Sequence, residues 1–115
     1  STVGGKRIME PQTWLPLTHA RSVLEARGER FAELWRHGCV SLELYVPRGE
    51  DLQTPHERDE LYVVIAGRGR FFNAGLLHPF QAGDVLFVPA RTPHRFEYFT
   101  EDFAAWVIFF GTEST

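Results

Sequence analysis

The sequence predicts an all-β domain, an antiparallel sandwich or barrel preceded by a short arm and one short helix. Three observations carry that expectation. Val40, Leu42, Leu44 and Val46 alternate with Cys39, Ser41, Glu43 and Tyr45, a period-two pattern held over eight residues. Turn-forming residues then recur at short intervals, at 47–49, 67–69, 73–75, 81–84, 90–93 and 100–102. They separate apolar runs at 61–66, 70–73, 76–80, 85–89, 94–99 and 104–110, the length and spacing of strands in a small antiparallel fold. Finally, no second helical pattern is present that could feed a parallel sheet.

Taken in order, the chain divides into an arm and helix at 1–30 and a β-domain at 31–112. Pro11 and Pro16 forbid a helix at the start, so Trp14, Leu15 and Leu17 read as an extended arm whose large side chains cover something. From Thr18 to Ala26 a polar starter, good helix formers and a closing Arg27-Gly28 predict one helix of two or three turns. Residues 31–35 form a first short strand and His37-Gly38 a turn before the alternating stretch. The runs at 61–66 and 104–110 are apolar on both faces, so their outward sides also need cover, from the arm or from a second copy of the chain. A homodimer is the expected solution for so small a domain. Gly67-Arg68-Gly69-Arg70 reads as a hairpin turn and not as a phosphate cradle, because no helix follows it.

Composition narrows the function classes. At 115 residues the chain can build one core, and 43% hydrophobic residues with ten phenylalanines make ordered packing the expectation. A net charge of -3 offers no basic field for nucleic acid or for an anionic membrane, and both are set aside as partners. No apolar run reaches the length of a membrane span and no signal segment opens the sequence, which fits a cytoplasmic protein. Cys39, the single cysteine, cannot form an internal disulfide and reads as a small packed side chain in its strand. His19 and His37 lack partners at ligand spacing and read as solvated, and His78, before Pro79, as an edge or surface residue.

Two stretches carry the chemistry. In the first, His56 precedes Glu60 across three charged residues, and a β-branched run and Gly67 follow. In the second, Gly83 leads through an apolar strand to Pro89, and His94 arrives after Pro93. Two imidazoles and one carboxylate with open positions suit a divalent ion such as iron(II), manganese, zinc or nickel, with water or substrate in the remaining positions. Gln53 is a candidate fourth ligand through its amide oxygen, given a kink at Pro55. Glu43 and Tyr45 share a strand face, as do Glu60 and Tyr62, and His94, Phe96 and Tyr98. With Trp106 these residues are candidates to line a pocket for a small, partly apolar molecule, and Glu43 is a candidate acid or base.

The paired stretches resemble the two motifs of the cupin superfamily. Glu60 and Gly67 stand at the first motif's glutamate-to-glycine spacing, and His56 stands where its second histidine belongs. Gly83, Pro89 and His94 match the second motif. The departures are Thr54 at the first histidine, Arg91 at the second motif's glycine and Tyr98 at its asparagine, with the opening glycine of the first motif near Arg48 or Gly49. The resemblance covers roughly 40–110 and implies a jelly-roll β-barrel of six or more strands, often dimeric, with a metal bound inside. Oxygenase, isomerase and lyase chemistry occur in that superfamily. Two further readings stand beside a metal-dependent enzyme: a non-catalytic module binding a sugar or acid, and a structural dimer with a vestigial site.

Overall fold

In the computed structural model the described residues are 2–3, 6–7, 13–51 and 54–111. The short strands β1 (Thr2–Val3) and β2 (Lys6–Arg7) pair with each other. Pro11 and Gln53 lie outside the described residues. Helix α1 (Leu17–Arg27) starts immediately after Pro16, where proline's fixed φ suits a helix entry, and stops at Gly28, whose φ of 64° is left-handed. Eight strands follow: β3 (Phe31–His37), β4 (Val40–Tyr45), β5 (Asp59–Ala66), β6 (Arg68–Asn73), β7 (Leu76–Gln81), β8 (Val85–Val88), β9 (His94–Glu97) and β10 (Ala104–Phe110).

They form two antiparallel sheets, one ordered β3-β4-β10-β5-β8 and the other β7-β6-β9. The sheets face each other in a jelly-roll arrangement and are not hydrogen-bonded into one closed barrel. The Asn73 side-chain amide donates to the Phe87 carbonyl at 2.9 Å and ties the smaller sheet to the edge strand of the larger. Between the sheets lies an aromatic-rich core that includes Tyr62, Phe71, Phe80, Phe96 and Phe103, with Val64 and Val107. On the larger sheet's outer face, Ala20 and Leu24 of α1 pack on Ala32, Leu44, Ile65 and Trp106.

Several expectations change. Gly67-Arg68-Gly69 is not a hairpin: β5 and β6 belong to different sheets, and Gly67 is the point where the chain switches between them. Its φ of 88° is left-handed, and a Cβ there would stand 2.6 Å from the Phe103 Cα. Gly67→Ala is therefore expected to destabilise the fold by about 3 kcal/mol, from strain and overpacking together, measurable as a fall in the urea midpoint. Cys39 is exposed, because the turn after β3 takes in both Gly38 and Cys39. Trp14 is 78% exposed and covers nothing among the described residues, whereas Leu17 packs as the first residue of α1. The helix covers only part of the larger sheet's outward face, and Val85 and Phe87 at its far edge stay exposed. No helix among the described residues is long and apolar enough to cross a membrane.

Candidate metal centre

Strand register brings the candidate ligands to one end of the interior. On the inner face of the larger sheet, Phe109 of β10 sits opposite Ser41 of β4 on one side and Glu60 of β5 on the other. One step along, Val107 sits between Glu43 and Tyr62. His94 opens β9 on the facing sheet. His56 lies in the loop before β5, where its carbonyl accepts a hydrogen bond from the Arg91 backbone at 2.6 Å. The loop is further braced where the Asp59 carboxylate accepts from the Ala90 backbone at 2.8 Å.

One ligand atom from each of His56, Glu60 and His94 lies within 4.8 Å of the other two. Glu60 and the His94 ring are fully enclosed, and His56 is half-buried against the Phe109 ring at 4.9 Å between centroids. His94 Nδ1 lies 2.8 Å from the Thr92 carbonyl, which can only accept, so Nδ1 carries the proton. A neutral ring then turns the bare Nε2 lone pair toward Glu60 Oε1, 3.0 Å away. Tyr62 contributes its hydroxyl 3.2 Å from the same nitrogen. Among the described residues, neither Glu60 oxygen nor His56 Nε2 has a hydrogen-bond partner. Electron-rich atoms that converge without a partner in a buried place call for a shared cation, either a proton on His94 or a metal ion. His56, Glu60 and His94 would be the residues to hold such an ion, and the Thr92 carbonyl already orients the His94 ring as an outer partner does in metal sites.

The electrostatics favour positive charge among these groups. Burial alone would push the His94 ring downward, but the Glu60 carboxylate and the Thr92 carbonyl outweigh it, and the net shift is upward from 6.5. Glu43 is pushed up to about 7, first by burial and then by the Glu33 and Glu60 carboxylates. Because its folded pKa lies above its unfolded value of 4.5, Glu43 costs stability as pH rises from 4.5 to about 7. Glu43→Gln is accordingly expected to stabilise the protein by about 2 kcal/mol at pH 8 and by almost nothing at pH 4.5, read from thermal melts at both pH values.

The other sequence candidates separate cleanly. Tyr45, Tyr62 and Phe96 are buried in the core between the sheets, and Glu43 is on the same inner face as Ser41 and Tyr45. Tyr98 does not line the interior: β9 ends at Glu97, and Tyr98 turns out 81% exposed with its ring against Arg70. Trp106 points to the opposite face of its strand and packs under α1. Thr54, at the position of the motif's first histidine, is exposed. Arg91 and Tyr98 stand where the motif has glycine and asparagine, and both have positive φ, 60° and 52°. Glycine and asparagine are the residue types that tolerate a left-handed backbone best, so Arg91 and Tyr98 hold that conformation at a cost in strain.

Sequence reasoning passed over three contributors. Arg58, read only as part of an exposed charged turn, donates to Ser41 Oγ at 2.8 Å and to the Cys39 carbonyl at 3.2 Å. Asp51 accepts from the Tyr45 hydroxyl and, at 2.8 Å, from the Phe96 backbone, pinning the approach to the His56 loop. Thr92 fixes the His94 tautomer. None lies at a motif spacing, so only the folded arrangement reveals them. Beside His56 a cleft of about 330 Å³ opens, with Arg36, Glu43, Arg58 and Phe109 in its walls.

Comparison with known proteins gives one family and one fold. The Cupin_2 family model, described as a cupin domain, matches residues 41–110. An uncharacterized protein of Streptomyces coelicolor is 36% identical over 91 residues, 77% of this chain and 87% of that protein. KdgF from Halomonas sp. aligns in structure with a TM-score of 0.62 at 16% identity, over 73% of this chain and 79% of its own. A chain from the crystal structures of the DMSP lyases RdDddP and RnDddQII aligns with a TM-score of 0.53 at 25% identity, over 64% of this chain and 38% of its own.

Proposed function

This chain belongs to the cupin domain family, and we propose that it holds one divalent metal ion on His56, Glu60 and His94 and acts through it on a small organic molecule. The observation that carries this reading is the convergence of three donor groups where, among the described residues, both Glu60 oxygens and His56 Nε2 are buried without a hydrogen-bond partner. When bound, the ion supplies Lewis acidity to a ligand oxygen and leaves positions open for it. Around it the chain's own groups divide the work. Glu60 supplies the negative charge, His56 and His94 the neutral nitrogens, and Tyr62 a hydroxyl beside His94 Nε2. Glu43, poised about pH 7 in the adjoining cleft, is suited to take or give a proton. The lyase neighbour supports small-molecule turnover as one chemistry this fold accommodates.

The exposed Thr54 favours a second reading, in which a three-donor site binds a small ligand without turning it over. Elemental analysis of protein purified without chelator, followed by turnover assays on a panel of small oxygenase, isomerase and lyase substrates, separates the readings. One ion per chain with turnover supports the enzyme, one ion without turnover the binding module, and no ion contradicts both.

We also propose that two copies pair across the uncovered edge of the larger sheet. Phe87 of β8 lies against Phe110 of β10 at 6.2 Å between centroids, and Val85 and Phe87 are 61% and 47% exposed. An outward apolar strip beside an edge strand favours a self-complementary partner. Phe87→Glu is expected to raise the dimer dissociation constant at least about tenfold, measured by sedimentation equilibrium.

A further inference from the structure

We infer that the cleft beside His56 takes a small organic acid, whose carboxylate docks on Arg58. This names the substrate class of the site proposed above and rests on that reading for the ion, of whose three proposed ligands His56 stands in the cleft's wall.

Arg58 is half-buried, yet both groups it bonds are neutral: the Ser41 hydroxyl and the Cys39 carbonyl. No carboxylate among the described residues forms an ion pair with it. Arg36, in the same cleft, differs in having Glu33 at 2.8 Å. A guanidinium has five N–H donors in a rigid fork, and two hydrogen bonds leave an edge for a carboxylate. The head is also held in place, its central carbon 5.3 Å from the centroid of the Phe109 ring. That same ring contacts His56, so the cation and the candidate metal ligand flank one aromatic surface.

None of the other acids of the cleft forms an ion pair with Arg58: Glu33 is committed to Arg36, Glu57 is exposed, and Glu43 feels the Arg58 charge without pairing with it. A volume of about 330 Å³ lies at the lower end of small-molecule sites, which suits a compact acid. Anchored at one end by Arg58, such a molecule would direct its other end toward His56 and pass Glu43 along the wall.

The test uses the full chain loaded with one equivalent of zinc(II), and the metal-stripped chain beside it. Pyruvate and succinate are titrated calorimetrically, with pyruvamide, succinamide and inorganic phosphate as comparators. At least one acid should bind about tenfold or more tighter than its amide. Arg58→Gln should weaken that acid about tenfold or more at unchanged zinc content, whereas Arg58→Lys, which keeps the charge and guards against misfolding of the first variant, should weaken it only about threefold. Equal binding to wild type and Arg58→Gln, equal binding of acid and amide, or tighter binding of phosphate than of either acid would each overturn the inference. Failure to retain zinc counts against the metal reading alone, because Arg58 dependence is then read on the stripped protein.

Discussion

Replacing Glu60 with glutamine is expected to lower the affinity for a divalent ion about a thousandfold, about 4 kcal/mol, while scarcely changing the stability of the metal-stripped protein. Glu60 is the one anionic donor of the three, and an amide oxygen of similar shape is a far weaker ligand. With the His94 ring neutral its two oxygens make no hydrogen bonds among the described residues, so at a pH above that ring's titration little native bonding is lost on substitution. A purely structural Glu60–His94 ion pair requires the opposite. There the variant would strand a buried imidazolium and cost about 3–5 kcal/mol without any metal. Chelator competition measures the first quantity, and melts of the stripped proteins at pH 8.5 measure the second.

The second large effect is stabilisation of the wild type by the ion itself. At a free ion concentration a thousandfold above its dissociation constant, the gain is about 4 kcal/mol, or about 15 °C in Tm for a domain of this size. Its pH dependence has a definite sign. The His94 pKa is raised in the folded protein, so in the stripped protein this ring contributes stability below its unfolded pKa and loses that contribution as pH rises through the folded one. The ion competes with the same proton, so its increment grows over that rise and fades as pH falls. Melting curves with and without zinc(II) between pH 5.5 and 8.5 should therefore diverge toward high pH. Parallel curves would mean that the ion binds elsewhere or not at all.

The β-domain was legible because its signals are local. The alternation through 39–46 and the glycine and proline punctuation mark strands that the structure contains with only their ends shifted. Glu60 and Tyr62 share the inner face because side chains two apart in a strand must. What escaped depends on where strands go after they form. Gly67-Arg68-Gly69 has hairpin composition, and only the assignment of β5 and β6 to different sheets makes it a crossover. Trp106 looks like a pocket residue until strand phase sends it under α1. Tyr98 follows His94 and Phe96 in register, but a left-handed residue ends the strand and throws its ring outward. Arg58 was hidden for a different reason. Its charge reads as a solvated turn, and its significance arises from Ser41 and Phe109, distant in sequence and adjacent only in the sheet.

The most direct test of the central claim is an anomalous-difference map from crystals of the stripped protein supplied with one equivalent of cobalt(II). The account predicts one dominant peak, about 2.0–2.3 Å from a nitrogen of His56, a nitrogen of His94 and a carboxylate oxygen of Glu60. A map with no peak among those three side chains, and Glu60 instead closed onto His94 in a hydrogen bond, would contradict it.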